Sequence, residues 1–247
     1  MTDSLGYRAK FGVLVPSTNT SVQPEFDAMR PAGVTNHISR IRIPNMALEN
    51  DDDFSRLVEH IAAGQIEAVD SVMTAEPTRI VLGISVETFW GGYELSRKLK
   101  RELEIHTGLP VSLGAEASEA ALKRLGAKRI GVVTPYWPVG DKNVAQFFAE
   151  AGFEVRKIVG LKCRSPVLIA HVSEGELDAA VTEADGPGID AVIQVGTNLA
   201  MARSAPFSER RLGKPVVAIN TAIYWHALRA SGIEDKIAGF GPLLEEF

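Results

Sequence analysis

The chain has 247 residues, of which 45% are hydrophobic and 23% are charged, and its formal net charge is −5 at pH 7. This length allows one large domain or two domains of ordinary size, and the composition is typical of a soluble globular protein. The weakly acidic balance provides no general attraction for nucleic acid or for an anionic membrane surface, so we expect neither partner.

The cysteine count and the apolar runs indicate the compartment. Cys163 is the only cysteine, so no internal disulfide can form, and we expect a reducing, cytoplasmic location. No stretch approaches the roughly 18 consecutive apolar residues that cross a membrane. The N-terminal sequence does not show the apolar segment of a signal peptide, so we expect no export.

The first predicted strand is Lys10–Val15, and a turn of sequence PSTNTS follows it. Hydroxyl and amide side chains in this turn either cap the next helix or hold a carboxylate beside free N–H groups. Both interpretations stay open from the local sequence. Ser17 and Asn19 are therefore candidate substrate-binding residues.

A second, longer apolar strand is predicted within Arg79–Gly92, and polar residues follow it. Ligands of open α/β sheets bind outside the carboxyl ends of the strands, where Ser85, Val86, Glu87 and Thr88 are expected to lie. Ser85 is either a nucleophile or hydrogen-bond donor, or a helix cap. Glu87 is either an acid or base with a pKa raised by an apolar cleft, or a glutamate favoured by a helix dipole.

Apolar residues at strand or helix intervals predict the remaining elements. These are a strand at His37–Pro44, and helices at Phe54–Thr74, Tyr93–His106, Glu116–Leu125, Asn143–Ala151, Glu174–Glu183 and Ala222–Gly232.

The pattern of strands then repeats. KRIGVVTP matches KFGVLVP, AVIQVGTN matches IVLGISVE, and GKPVVAIN matches GLPVSLGA. Strands that alternate with helices require parallel sheets with right-handed crossovers. We therefore predict an α/β fold with two pseudo-symmetric, doubly wound parallel-sheet domains and a cleft between them. The predicted domains are residues 1–115 and 116–225, with a tail of about residues 226–247 packing back on the first.

The second copy of the long strand also ends in small and polar residues, Gly196, Thr197 and Asn198. Two such strand ends in one chain predict a single site between the two halves. Backbone and side-chain donors of this kind suit an oxyanion or carboxylate without requiring positive charge. Neither GxGxxG nor a P-loop follows the first strand, so a nucleotide site is not expected.

Several motifs together resemble a known family. VPSTNT, GISVETFWGG, VTPYWPVGDKN and QVGTNLAM occur in the order and spacing of the aspartate/glutamate racemase superfamily, and of its maleate cis-trans isomerases and arylmalonate decarboxylases. The resemblance implies two pseudo-symmetric α/β domains, a site in the cleft between them, and cofactor-independent action on small carboxylic acids. It also implies that Asn19 binds substrate, that Tyr136 belongs to the site, and that Thr197 and Asn198 bind a carboxylate.

The sequence departs from this family at its cysteines, which occur at one or both tips of the two long strands. Here the first position holds Ser85, or Ile84 if the alignment shifts by one residue, and the second holds Gly196 or Val195. A serine hydroxyl is a far weaker acid than a thiol and needs a base beside it. Two-thiol racemisation and thiolate addition to a double bond are therefore not expected.

We thus predict a cofactor-independent lyase or decarboxylase, or an isomerase, acting on a small carboxylic or dicarboxylic acid without thiol chemistry. Ser85, Glu87 and Tyr136 are the candidate catalytic residues, and no metal or cofactor is expected. One alternative is a carboxylate-binding or regulatory protein that has lost catalysis. Another is a hydrolase that uses Ser85 and Glu87. The oligomeric state stays open, with a homodimer as one option.

Overall fold

The computed structural model describes residues 3–247. It contains eight strands and ten α-helices within that range. The strands are β1 Ala9–Pro16, β2 Val34–Ile41, β3 Arg79–Leu82, β4 Val111–Ser112, β5 Arg129–Thr134, β6 Glu154–Gly160, β7 Ala191–Gln194 and β8 Val216–Ala218. The helices are α1 Val22–Ala28, α2 Asp51–Met73, α3 Val86–Phe89, α4 Gly92–Thr107, α5 Gly114–Arg124, α6 Pro138–Glu150, α7 Glu174–Ala184, α8 Ala205–Leu212, α9 Ile219–Arg229 and α10 Pro242–Glu245.

The strands form two four-stranded parallel sheets with the same topology. The strand order is β2-β1-β3-β4 in the first sheet and β6-β5-β7-β8 in the second. The repeated sequence motifs therefore occupy equivalent strands, and the predicted α/β fold with two similar parallel sheets is confirmed. In each sheet the second strand in sequence lies on one side of the first strand, and the later strands lie on the other side. At such a change of direction an open α/β sheet forms a crevice at the carboxyl ends of its strands.

Two edge strands, β2 of the first sheet and β6 of the second, differ from the sequence prediction. β2 lies three residues earlier than predicted, and β6 was not predicted at all. Both strands are edge strands with many partly exposed residues, so neither carries the continuous apolar run that marks a buried parallel strand. The central strands β3 and β7 are fully buried and were predicted correctly.

The two halves share one large hydrophobic core, because helices of the second half pack on the first. Tyr224 of α9 is fully buried and packs against the rings of Phe11 and Phe26, with centroids 5.9 and 4.9 Å away. α9 also packs along α5, and α6 packs against α2 and α4. A second, smaller core lies between the second sheet, α7 and α8.

The C-terminal segment contacts both halves. Asp235 accepts a hydrogen bond of 2.9 Å from Arg8, whereas the guanidinium of Arg203 lies 4.7 Å from the ring centroid of Phe240. The exact domain boundaries stay a prediction. Among residues 3–247, no helix combines the length and apolar character that a membrane crossing requires.

The contact between β5 and α7 generates a prediction about stability. A Cβ atom on Gly131 would lie 2.1 Å from the carbonyl oxygen of Ala184, and a backbone atom cannot move aside as a flexible side chain can. We expect Gly131→Ala to lower the free energy of unfolding by about 1–3 kcal/mol or more. Gly175→Ala on α7 is the control, because a Cβ there meets nothing within 4 Å. Denaturant unfolding of both variants checks this, and equal stability of the two would contradict it.

Candidate active site

The carboxyl ends of the central strands meet around one cavity between the two halves. The cavity has a volume of about 460 Å³, part of which opens to solvent, and none of its seventeen described lining residues carries a charge. Its lining residues are Pro16, Thr18, Asn19, Ile43, Phe54, Leu57, Ile61, Ile84, Ser85, Val86, Pro135, Tyr136, Pro166, Ile169, Gly196, Thr197 and Asn198.

Four of these residues form a hydrogen-bonded cluster in the cavity lining. The Ser85 Oγ lies 2.5 Å from the Tyr136 hydroxyl, and the backbone N–H of Thr197 donates to the same Oγ at 3.2 Å. The Asn19 Nδ2 donates to Thr197 Oγ1, also at 3.2 Å. Each residue follows a different central strand, so the cluster connects β1 and β3 of the first sheet with β5 and β7 of the second.

The cluster keeps few donors free for a ligand. Thr197 Oγ1 donates to the carbonyl of Gly83 and accepts from Asn19, which uses its hydroxyl proton. The Asn19 Oδ1 accepts from the backbone N–H groups of Ser21 and Val22, so Asn19 both caps the start of α1 and lines the cavity. The second Nδ2 proton of Asn19 and one hydroxyl proton of the Ser85–Tyr136 pair are left for a bound oxygen.

Burial controls the protonation of Tyr136. Desolvation raises the pKa of its phenol above the ordinary value, although the hydrogen bond with Ser85 acts in the opposite direction. The phenol is therefore a neutral donor at physiological pH. Its backbone N–H donates to Thr134 Oγ1 at 3.0 Å, and that hydroxyl donates to the carboxylate of Asp141. Burial raises the pKa of Asp141 to about 6.

The remainder of the cavity is mostly apolar. Phe54, Leu57 and Ile61 of α2 form one wall, and the Phe54 ring centroid lies 5.2 Å from that of Tyr136. From its apolar spacing α2 was predicted only as a helix, and its part in the cavity was not predicted. An apolar helix stripe has the same pattern whether it covers a sheet or lines a cavity.

Three predicted site residues do not line the cavity. Ser17 Oγ accepts from the backbone N–H of Ile43 at 3.1 Å and so links two loops. Thr88 Oγ1 donates to the carbonyl of Ser85 at 2.7 Å, which holds the first turn of α3. Glu87 accepts from Gln65 Nε2 at 2.9 Å, and burial raises its pKa to about 7, but it is not among the residues that line the cavity.

The other predicted residues line the cavity in different ways. Gly196 has a φ of 113°, and a Cβ there would lie 2.4 Å from Pro135, so this position admits no side chain. Asn198 accepts from the backbone N–H of Thr20 and donates to the carbonyl of Pro166, which fixes its amide. Val86 contributes an apolar surface beside Ser85.

The thiol of the chain lies elsewhere. Cys163 is buried in the loop after β6, where it lines a separate groove with residues such as Val172 and Glu176. Burial raises the pKa of this thiol to about 11, so little thiolate forms at neutral pH. Within residues 3–247, no group of three or more His, Cys, Asp or Glu side chains is arranged to hold a metal ion.

Two polar residues that the sequence analysis did not select support the cluster from behind. Asn220 Nδ2 donates to the Thr197 carbonyl at 2.9 Å and to a carboxylate oxygen of Glu25 at 2.6 Å. Burial raises the pKa of Glu25 to about 7. Asn220 is the last residue of the third repeated motif, so its position at the end of a strand could have been predicted. Glu25 has the sequence context of an ordinary acidic residue at a helix start, so its role could not.

Comparison with known proteins gives relatives over almost the full chain. A maleate isomerase of Pseudomonas putida is 27% identical, over 95% of this chain and 96% of the relative. An arylmalonate decarboxylase of Bordetella bronchiseptica is 29% identical, over 67% of this chain and 70% of the relative.

A solved structure shows the same fold. It is a maleate cis-trans isomerase of Nocardia farcinica, in a cysteine-to-serine variant with a covalently bound succinylcysteine intermediate. The TM-score is 0.88 with 22% sequence identity, and the match covers 97% of this chain and 99% of the other.

The sequence profile of the arylmalonate decarboxylase family matches residues 11–244. The predicted resemblance to the maleate isomerase and arylmalonate decarboxylase branch, and the prediction of an isomerase or decarboxylase enzyme, are thereby confirmed. The chain belongs to the arylmalonate decarboxylase family.

Proposed function

We propose that this enzyme is a cofactor-independent decarboxylase of malonate-type acids that carry an apolar substituent, and that it works without a thiol. The family and its relatives support a decarboxylase or isomerase of small carboxylic acids. The choice of decarboxylation rests on one observation, a single hydrogen-bonded donor cluster in a cavity lining that is otherwise uncharged and mostly apolar.

This lining favours a substrate with one well-held carboxylate. The oxygens of that carboxylate can accept hydrogen bonds from Asn19 and from the Ser85–Tyr136 pair. A second carboxylate would lie against apolar residues such as Leu57 and Ile61, and burying an unpaired charge there costs several kcal/mol. Loss of CO₂ removes that charge, whereas an isomerisation of maleate keeps both carboxylates.

The proposed reaction follows from these contacts. The bond between the α-carbon and the apolar-facing carboxylate breaks, CO₂ leaves, and the electron pair forms an enediolate on the retained carboxylate. The free hydroxyl proton of the Ser85–Tyr136 pair and the free Nδ2 proton of Asn19 stabilise the growing negative charge, as preorganised dipoles do in oxyanion holes. The α-carbon then takes a proton from the Tyr136 phenol, which solvent reprotonates through Ser85. The net reaction consumes one proton and yields a monocarboxylate and CO₂.

Two other functions are weighed against this proposal. The first is a carboxylate-binding protein without catalysis. The Nocardia enzyme holds its intermediate on a cysteine, and the described lining of this cavity contains no cysteine, which favours this alternative. A hydrolase would need a base beside Ser85. Glu87 accepts a hydrogen bond from Gln65 and does not line the cavity, which gives the hydrolase no support.

The deciding experiment incubates the protein with phenyl-, benzyl- and alkyl-substituted malonates labelled with ¹³C in the carboxyl groups, and with maleate. Release of labelled CO₂ from the substituted malonates supports the proposal. Tight binding without turnover would identify a binding protein, and conversion of maleate to fumarate without decarboxylation would overturn the choice of reaction.

The central role of the phenol generates a prediction. We expect Tyr136→Phe to lower kcat by about 10²–10³-fold, because it removes both a donor for the enediolate and the proton source. Tyr93→Phe is the control, since the Tyr93 hydroxyl only contacts Arg97 on α4. Steady-state kinetics of CO₂ release measures both variants. Activity of Tyr136→Phe within tenfold of the wild type would contradict the assignment.

The remote thiol generates a second prediction. Cys163→Ala should keep kcat and KM close to the wild-type values, because the thiol is buried outside the cavity and its pKa of about 11 keeps it protonated. The same reasoning predicts that a short treatment of the folded enzyme with iodoacetamide leaves CO₂ release unchanged. Loss of turnover in Cys163→Ala, with the protein still folded, would show that the thiol takes part.

The apolar wall generates a third prediction, on specificity. Ile61→Val removes one methyl group from the wall, and one such group in a hydrophobic pocket changes discrimination by about 1–3 kcal/mol. We expect the ratio of kcat/KM for a benzyl-substituted over a methyl-substituted malonate to rise about tenfold. Val69→Ala on the same helix is the control, because Val69 is buried outside the cavity lining. An unchanged ratio would show that the substituent lies elsewhere.

A further inference from the structure

A buried polar cluster behind the cavity joins α1 of the first half to two segments of the second. Glu25 of α1 is half-buried, and both of its carboxylate oxygens accept hydrogen bonds. The backbone N–H of Ala202 donates to Oε1 at 2.9 Å, and Asn220 Nδ2 donates to Oε2 at 2.6 Å. Asn220 is only 1% exposed, and its Nδ2 also donates to the carbonyl of Thr197 at 2.9 Å. Both amide protons of Asn220 are therefore committed.

The charge of Glu25 explains the orientation of the Asn220 amide. In this orientation the Asn220 Oδ1 is buried without a partner in the described chain, which costs free energy. The reverse orientation would place Oδ1 against the Glu25 carboxylate and the Thr197 carbonyl, which are both acceptors. An acceptor at position 25 thus selects the amide orientation that donates to Thr197.

The backbone of Thr197 connects Asn220 to the donor cluster. Its carbonyl is held by Asn220, and its N–H donates to Ser85 Oγ, which in turn lies 2.5 Å from the Tyr136 hydroxyl. We propose that Glu25 and Asn220 are positioning residues that fix the backbone of Thr197, and through its N–H the Ser85 hydroxyl, for the reaction. Neither residue lines the cavity, so both act through Thr197. This inference rests on the proposed function.

Protonation of Glu25 provides one way to observe this role. Burial raises its pKa to about 7, and the hydrogen bond from Asn220 acts in the opposite direction. Arg203 and Glu174 are the other charged side chains that line the groove beside it. As the pH falls through about 7, the carboxylate gains a proton and becomes a weaker acceptor for Asn220. We therefore expect kcat of the wild type to fall on the acid side of pH 7.

The test compares two isosteric changes on the same helix. Glu25→Gln keeps the shape but replaces an acceptor by a donor, so the Asn220 amide turns over and the Thr197 carbonyl loses its donor. We expect kcat to fall at least about tenfold, because small misplacements of catalytic groups cost up to about 10²-fold. KM should change less than about twofold, the melting temperature should stay near that of the wild type, and the acid limb of the pH profile should disappear. Asp27→Asn is the control, since Asp27 bonds only to Asn36 on the surface and should leave all four quantities unchanged.

A second measurement does not depend on turnover. In protein labelled with ¹⁵N-threonine, the Thr197 amide proton should move upfield and exchange faster with solvent in Glu25→Gln and in Asn220→Ala, because its hydrogen bond to Ser85 weakens. If the wild type decarboxylates no acid, the proposed function fails, but the Thr197 signal still tests the positioning role of Glu25 and Asn220. An unchanged Thr197 signal in Glu25→Gln would overturn that role. A fall in kcat no larger than the unfolded fraction of the variant would also overturn it.

Discussion

The hydrogen bond from the Thr197 N–H to Ser85 Oγ is the contact on which the rest of the site depends, because it joins the tips of two strands in different sheets. Tyr136 and Asn19 extend the same cluster to the two neighbouring strand tips. Neither half presents the complete set of donors alone. Within this buried region, paired polar groups strengthen each other and unpaired ones are costly, so the halves are held in one relative position.

Much of this arrangement could be predicted from the sequence because it follows the strand pattern. The repeated motifs located the central strands, and the rule that ligands bind at strand ends selected Ser85 and Thr197. The family resemblance added Tyr136 and favoured substrate binding by Asn19. The apolar wall was not predictable, since the Phe54 side of α2 has an ordinary amphipathic pattern.

Residues outside the regular elements were harder still. Pro166 and Ile169 belong to a loop and a short 3-10 turn after β6, where no periodic pattern exists, yet both line the cavity. Burial raises the pKa of Glu87, in the predicted direction, but its carboxylate accepts a hydrogen bond from Gln65 and does not line the cavity. A sequence pattern places a residue on a strand end, and only packing decides which way its side chain extends.

The α9 helix gives the fold a dependence on the order of synthesis. Tyr224 completes the aromatic packing of Phe11 and Phe26, which lie near the other end of the chain. During translation the first sheet is made early, but the apolar surface around Phe11 and Phe26 lacks Tyr224 until α9 leaves the ribosome. Contacts between such distant parts of a chain form late and slow the folding reaction. The nascent first half therefore exposes apolar surface, and species of that kind are prone to aggregate before the chain is complete.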